Sequence, residues 1–153
     1  MDIVKFFPEA PSDFSPEHHI VFCFCKLGEK ILLLKRHPQK PQGGTWALPG
    51  GKMEKGETPK EAVIRETFEE VGLDASEAED AGIIYMRYND VDYLCYAFSM
   101  VYEYEPLLTL SMEEHTESRW LTLEETKEIP LIPGGEESFA FYQKFLSNKQ
   151  SQL

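Results

Sequence analysis

"GKMEKGETPKEAVIRETFEEVGL", residues Gly51 to Leu73, is the stretch from which the rest of the chain can be read. Thr58 suits a helix N-cap, Pro59 suits the first helical position, and Glu61 completes a Thr-x-x-Glu capping box. Gly72 supplies a C-terminal stop, so the spacing predicts a helix over Thr58 to Val71. At ~100° per residue, Ile64, Phe68 and Val71 share one face, flanked by Val63 and Thr67, and that face is expected to be buried. Glu66, Glu69 and Glu70 gather round the opposite pole, with small Ala62 among them. Left alone, like charges one turn apart repel by a few tenths of a kcal/mol. The helix by itself admits two readings: a solvated acidic face, or a cage of hard oxygen ligands for Mg²⁺ or Mn²⁺.

The flanks bear on that choice. Glu57, in the loop before the helix, can pin Arg65 through a bidentate carboxylate–guanidinium pair, a brace that a plain surface helix does not need. The Pro49-Gly50-Gly51 turn brings bare backbone near the helix start, where a carbonyl can serve as a further ligand; its composition also suits a simple loop. Upstream, "HHIVFCFCK" and "KILLLKR" read as a β-hairpin joined by Leu27-Gly28-Glu29, followed by the loop "HPQKPQGGTWALPGG". Downstream, "AGIIYMRY" and "DYLCYAFSMVY" read as strands around the polar turn at Asn89-Asp90. The second is apolar on both faces and is expected to lie centrally in a sheet.

Residues 105–118 read as loop and "SRWLT" as a short strand. Thr122 and Glu125 offer a second capping box. Glu136 to Leu146 reads as a closing amphipathic helix with Phe139, Tyr142, Phe145 and Leu146 as its apolar stripe. Residues 1–17 form an irregular or edge extension, and 147–153 a frayed tail. Strands interleaved with two helices in a single domain of 153 residues imply an α/β arrangement, a mixed sheet covered on both faces.

Composition excludes several classes. Hydrophobic residues at 42% suit a globular core and argue against disorder. Asp and Glu number 27 against 15 Lys and Arg, so the net charge is −12. That balance disfavours a non-specific grip on nucleic acid, so no nucleic-acid partner is expected. It also repels a phosphorylated substrate unless a cation intervenes. No apolar run is long enough for a membrane span, and the first residues lack the basic leader and apolar stretch of a secretory signal. Cys23, Cys25 and Cys95 make an odd count inside strand-like runs, which suits a reducing cytoplasm. Cys23 and Cys25 would face one side of a strand with no His/Cys partner pattern nearby, so packing outweighs metal binding.

The opening stretch resembles the signature of the Nudix hydrolases: Gly, five residues, Glu, seven residues, Arg-Glu, apolar, any, Glu-Glu, any, Gly, apolar. Those positions are Gly51, Glu57, Arg65, Glu66, Thr67, Glu69, Glu70, Gly72 and Leu73. Thr67 is the one departure, standing where an aliphatic residue is usual. The resemblance extends more loosely to "GTWALPGG" and "EEHTESRWL". It implies an α/β/α sandwich with a mixed β-sheet, the signature forming a loop–helix–loop. The implied reaction is hydrolysis of a phosphoanhydride in a nucleoside diphosphate linked to another group, with Mg²⁺ as cofactor and Mn²⁺ as a substitute. By the same resemblance Glu66, Glu69 and Glu70 hold the metal, often joined by the Gly50 carbonyl, and Glu57 orients Arg65. A further Glu from a downstream loop helps as ligand or base; Glu114 is the choice, with Glu113 and Glu117 as rivals. Glu66 ranks first as base or water-positioning ligand and Glu114 second. Members of this family often form homodimers, and a homodimer is an expectation here.

Substrate is less legible. Arg36 ends a strand where relatives often present a basic residue to phosphate. Trp46, Leu48 and the strand Tyr93–Tyr102 can sandwich a base. Tyr88 stands where ADP-ribose enzymes commonly carry a Pro and where a Tyr suits dinucleoside polyphosphates. The "GTWALPGGKMEKGETP" stretch is most similar to MutT-like nucleoside triphosphate pyrophosphohydrolases that clean nucleotide pools. The alternatives are hydrolysis of dinucleoside polyphosphates, nucleotide sugars or ADP-ribose. From other classes come a non-catalytic nucleotide-sensing module and a diphosphate isomerase, which would need a catalytic Cys and metal-binding His. The four histidines, His18, His19, His37 and His115, read as exposed or loop residues.

Overall fold

The computed structural model describes residues 2–151. Its strands and α-helices in chain order are β1 (Val4–Phe7), β2 (His18–Leu27), β3 (Lys30–Arg36), β4 (Trp46–Ala47), β5 (Gly50–Lys52), α1 (Pro59–Val71), β6 (Glu79–Tyr88), β7 (Val91–Tyr102), β8 (His115–Thr122) and α2 (Gly135–Ser151), with a 3-10 turn at Glu125–Glu128 before α2. The strands form one mixed sheet of order β1-β6-β7-β2-β3-β4, with β5 pairing β2 and β8 pairing β3. β2 and β7 run parallel; the other pairs are antiparallel.

Helix α1 starts and stops where its caps dictate. Thr58 Oγ1 accepts the Glu61 N–H at 3.1 Å and Glu61 Oε1 accepts the Thr58 N–H at 3.0 Å. Gly72 takes φ 73°, a left-handed cap, and its N–H donates to the Phe68 carbonyl. The tight turn at Asn89 and Asp90, with φ of 48° and 67°, joins β6 to β7. Alternation along β2 and β3 divides the core in two. Val21, Cys23, Cys25, Leu32 and Leu34 pack under Val63 and Val71 of α1. On the opposite face Phe24, Ile31 and Leu33 pack under Phe139 and Tyr142 of α2. Tyr142 stacks on Phe24 at 4.0 Å and shares a 2.9 Å hydrogen bond with Ser99 Oγ. The α/β/α sandwich is therefore built from period-two strands between two helices.

Several expectations need correction. The hairpin of β2 and β3 is only two residue pairs deep, Lys26 with Ile31 and Leu27 with Lys30. Beyond it β2 pairs along its whole length with β7, a strand more than 60 residues away in sequence, while β3 turns to β8. Gly50 and Gly51 lie in strand β5 rather than in a plain loop. β8 begins at His115, three residues before the strand expected at Ser118. α2 continues to Ser151, into the segment expected to fray; residues 152–153 lie outside the described residues.

The buried face of α1 is also different. Its buried residues are Ala62, Val63, Thr67, Glu70 and Val71, whereas Phe68 is 64% exposed. The helix is turned roughly a quarter rotation from the apolar wheel, bringing the Glu66–Glu70 edge towards β5. The apolar stripe lost this contest because Arg65 and Glu70 are tied to the loop and strand in front of the helix, as described next.

Candidate active site

Arg65 lies at the centre of a set of bonds that ties the loop before α1 to the helix itself. Its Nε donates to Glu57 Oε2 at 2.7 Å and its Nη2 to Glu57 Oε1 at 3.0 Å, the bidentate brace expected from the sequence. Nη2 also donates to the Lys52 carbonyl at 3.1 Å, and Nη1 to Glu66 Oε1 at 2.9 Å and Glu69 Oε2 at 3.3 Å. Glu57 Oε1 accepts the Glu54 N–H at 2.7 Å. Bonds from Arg65, then from Glu54, hold the Glu57 carboxyl down to about 2, and the Glu57 bond raises Arg65 above its ordinary range.

Glu70 is the opposite case. It is 7% exposed, and its Oε1 accepts the Gly50 N–H at 2.7 Å. Burial pushes its pKa up to about 8, the charges of Glu66 and Glu114 add to the rise, and the Gly50 N–H and Arg36 oppose it. Glu66 is raised too, first by burial, against the pull of Arg65. Glu69 is more than half exposed at its side chain and leans on Arg65. Glu114, the residue before β8, acts on Glu66 and Glu70 through its charge, and its Oε1 lies 3.4 Å from Lys40 Nζ. Its rival Glu117 is bonded to Arg119 at 2.8 Å.

The two glycines of β5 are there because of space. A Cβ on Gly50 would meet the Val21 carbonyl oxygen at 2.2 Å, and one on Gly51 would meet the Glu66 carboxyl at 2.6 Å. Gly50 touches Glu70 through its N–H.

His115 is the site residue that sequence reading missed. Expected as an exposed or loop histidine, it is 1% exposed, with Nδ1 at 3.6 Å from Glu70 Oε2. Burial, then the charge of Arg36, pull its pKa down to about 4, so it is neutral at pH 7. Glu113 to Ser118 carries charge and hydroxyl groups instead of strand-like apolar alternation, so no local signal placed His115 inside.

Across β5 from the carboxylates lies a cavity of about 480 Å³. Arg36, Trp46, Leu48 and Tyr88, the four residues suspected of touching substrate, all line it, together with Gly50 and Gly51. Gly50 and Gly51 thus stand between the two: they line the cavity, and they touch Glu70 and Glu66 on the other side. Arg36 serves both, lining the cavity while its charge acts on Glu70 and His115. The β3–β8 register shifts between Lys35, opposite Glu117, and Arg36, opposite His115, leaving Thr116 of β8 unpaired. At the rim, Tyr88 donates to Asp2 Oδ1 at 2.9 Å and accepts from Gln42 Nε2 at 3.2 Å.

Among the described residues no three His, Cys, Asp or Glu side chains meet at metal-ligand distance, since Arg65 draws Glu66 and Glu69 while Gly50 draws Glu70. The donor chemistry fits a hard divalent cation. Glu70 is a buried carboxylate whose proton affinity is raised by burial and by two neighbouring carboxylates, and a cation would supply the missing counter-charge.

Comparison with known proteins agrees with the fold. The model of the NUDIX domain family matches residues 16–145, so the chain belongs to that family. It is 30% identical to the uncharacterized Nudix hydrolase YvcI of Bacillus subtilis over 125 residues, 80% of this chain and 77% of that protein. It is 36% identical over 107 residues to putative 8-oxo-dGTP diphosphatase 3 of Mycobacterium tuberculosis; that match takes 68% of this chain but spans only about half, 49%, of the relative. In structure it is similar to the MutT protein from Methanosarcina mazei, with a TM-score of 0.71 at 26% identity, covering 88% of this chain and 96% of that one.

Proposed function

We propose that this chain is a Mg²⁺-dependent hydrolase of a phosphoanhydride bond in a nucleoside diphosphate derivative, and that its substrate is a nucleoside triphosphate, cut to a monophosphate and pyrophosphate. The observation that carries the reading is the Glu57–Arg65–Glu66 chain beside buried Glu70, next to the Gly50–Gly51 pair that also lines an aromatic cavity. Glu66, Glu70 and Glu114, with Glu69 at the exposed edge, are the residues that would hold the cation. When bound, a divalent cation neutralises phosphate oxygens and makes a water more acidic.

The remaining roles belong to the chain. Arg65 and Glu57 keep the Glu66 carboxylate from swinging away. Glu66 accepts a proton from the attacking water, whose oxygen forms the new bond to phosphorus as the α–β anhydride P–O bond breaks, giving monophosphate and pyrophosphate. Such proton transfer contributes ~10²–10⁴-fold. Arg36 faces the cavity and offers its guanidinium to phosphate, while Trp46, Leu48 and Tyr88 give the base an apolar and aromatic seat. The curated relative named for 8-oxo-dGTP supports a triphosphate substrate.

The diphosphate isomerase reading loses support from the thiols. Cys23, Cys25 and Cys95 are all buried, and burial pushes Cys95, the one lining the cavity, up to about 12. A thiol so placed is a poor nucleophile. The test is a screen with Mg²⁺ across nucleoside triphosphates, dinucleoside polyphosphates, ADP-ribose and nucleotide sugars, with products identified by mass. Pyrophosphate from a triphosphate is the expected result; ligand-induced thermal shifts without turnover on any substrate would overturn it in favour of a sensing module.

A further inference from the structure

We infer that His115 is a positioning residue for Glu70: its Nδ1–H fixes the Oε2 side of that carboxylate, so that Gly50 and His115 together aim the buried ligand at the cation. The inference rests on the metal-site reading above but concerns a residue outside the signature.

Three observations carry it. His115 is a fully buried side chain, 1% exposed, in a sheet strand whose register with β3 sets it opposite Arg36. Its Nδ1 is buried and has no hydrogen-bond partner among the described residues. A buried polar nitrogen without a partner costs about 1–3 kcal/mol, so it calls for a reason. The side-chain atom it approaches is Glu70 Oε2 at 3.6 Å, longer than a hydrogen bond yet within reach of a small side-chain rotation.

The two oxygens of Glu70 then divide their work. Oε1 is already held by the Gly50 N–H at 2.7 Å, whereas among the described residues no hydrogen bond holds Oε2. A carboxylate anchored at one oxygen still pivots about that bond. A second donor on the other oxygen stops the pivot and fixes the direction of the remaining lone pairs. Donors behind a ligand orient it and raise its affinity for metal, and removing one costs about 10–100-fold in binding. Arg65 does the same work for Glu66, so each of the two more buried carboxylates has its own brace, one charged and near the surface, one neutral and buried.

The test measures Mn²⁺ binding by titration calorimetry in the absence of substrate, on the wild type, His115→Leu and His115→Asn, with each melting temperature recorded metal-free. Asn can place an N–H where Nδ1 stands; Leu fills the space without a donor. His115→Leu is expected to bind Mn²⁺ at least about 10-fold more weakly, with Asn restoring affinity to within about threefold of wild type. Equal affinity in all three proteins, or equal loss in Leu and Asn, would overturn the inference, the latter pointing to packing alone. Absence of Mn²⁺ uptake by the wild type would instead bring down the metal-site reading, and this inference with it. A measurement that needs no variant is the ¹⁵N spectrum of the Mg²⁺-saturated wild type: the Nδ1–H tautomer of His115 is expected, and the Nε2–H tautomer refutes the role.

Discussion

The Gly50 N–H donates to Glu70 Oε1 at 2.7 Å, joining a three-residue strand to the last turn of a helix 20 positions downstream. That bond fixes the rotation of α1 and holds a carboxylate in the interior where it is costly to ionise. It gives Glu70 two measurable consequences.

The first concerns turnover. Glu70→Gln keeps the shape and an acceptor for the Gly50 N–H but removes the charge. Mg²⁺-dependent turnover is expected to fall by at least ~10²-fold, the scale of losing one positioned electrostatic group. The metal-free melting temperature should hold or rise. Steady-state kinetics beside calorimetric melting checks both, and a near-wild-type rate would take Glu70 out of the mechanism.

The second concerns pH. With a folded pKa of about 8, above the ordinary carboxylate value of about 4.5, Glu70 binds its proton more tightly folded than unfolded. The folded state then binds more protons, so this contribution is full below about pH 4.5 and is lost as pH rises through 8. Metal-free wild type should lose stability relative to Glu70→Gln between those limits. Denaturant midpoints of the two proteins across that range measure the difference, and parallel curves would refute it. Glu57 has the opposite sign: held down to about 2, it contributes at neutral pH and is lost only on strong acidification.

Gly50 and Gly51 should fail differently when given a methyl group. At Gly50 the new Cβ meets backbone, the Val21 carbonyl at 2.2 Å, and nothing nearby can yield cheaply. Gly50→Ala is expected to cost about 3 kcal/mol of stability. At Gly51 the Cβ meets the end of the Glu66 side chain at 2.6 Å, which can swing aside. Gly51→Ala should cost under about 1 kcal/mol yet reduce turnover at least ~10-fold, because the moved group is the proposed base. Unfolding curves and rates on the same samples separate the two.

Arg65→Lys keeps the charge and discards the fork. One ammonium cannot bond both oxygens of Glu57 while also reaching the Lys52 carbonyl and Glu66. Turnover is expected to drop ~10–100-fold, a scale drawn from the loss of groups that orient a ligand. Hydrogen exchange at the Glu54 and Glu57 amides should quicken. Unchanged exchange with lost activity would mean that Arg65 contacts substrate directly instead of bracing the loop.

How much of this was legible beforehand depended on the range of the interaction. Thr58, Pro59, Glu61 and Gly72 bounded α1 because capping is settled within four residues. The Glu57–Arg65 pair was equally plain, spanning a loop and two turns of helix. Cys23 and Cys25 were placed in the core by strand alternation. Arg36, Trp46, Leu48 and Tyr88 were suspected one at a time, but nothing in the order of residues shows that they border one cavity.

The sequence by itself therefore determined the helix limits, the carboxylate set, the brace on Arg65 and the two-faced sheet, all from patterns that act over a few neighbouring residues. Tertiary structure decided the rest: the parallel pairing of β2 with β7, the quarter turn that exposes Phe68 and buries Glu70, and the burial of His115 behind it. Those depend on which distant backbone groups are near enough to bond. A wheel drawn from hydrophobicity alone carries no term for an N–H on a neighbouring strand.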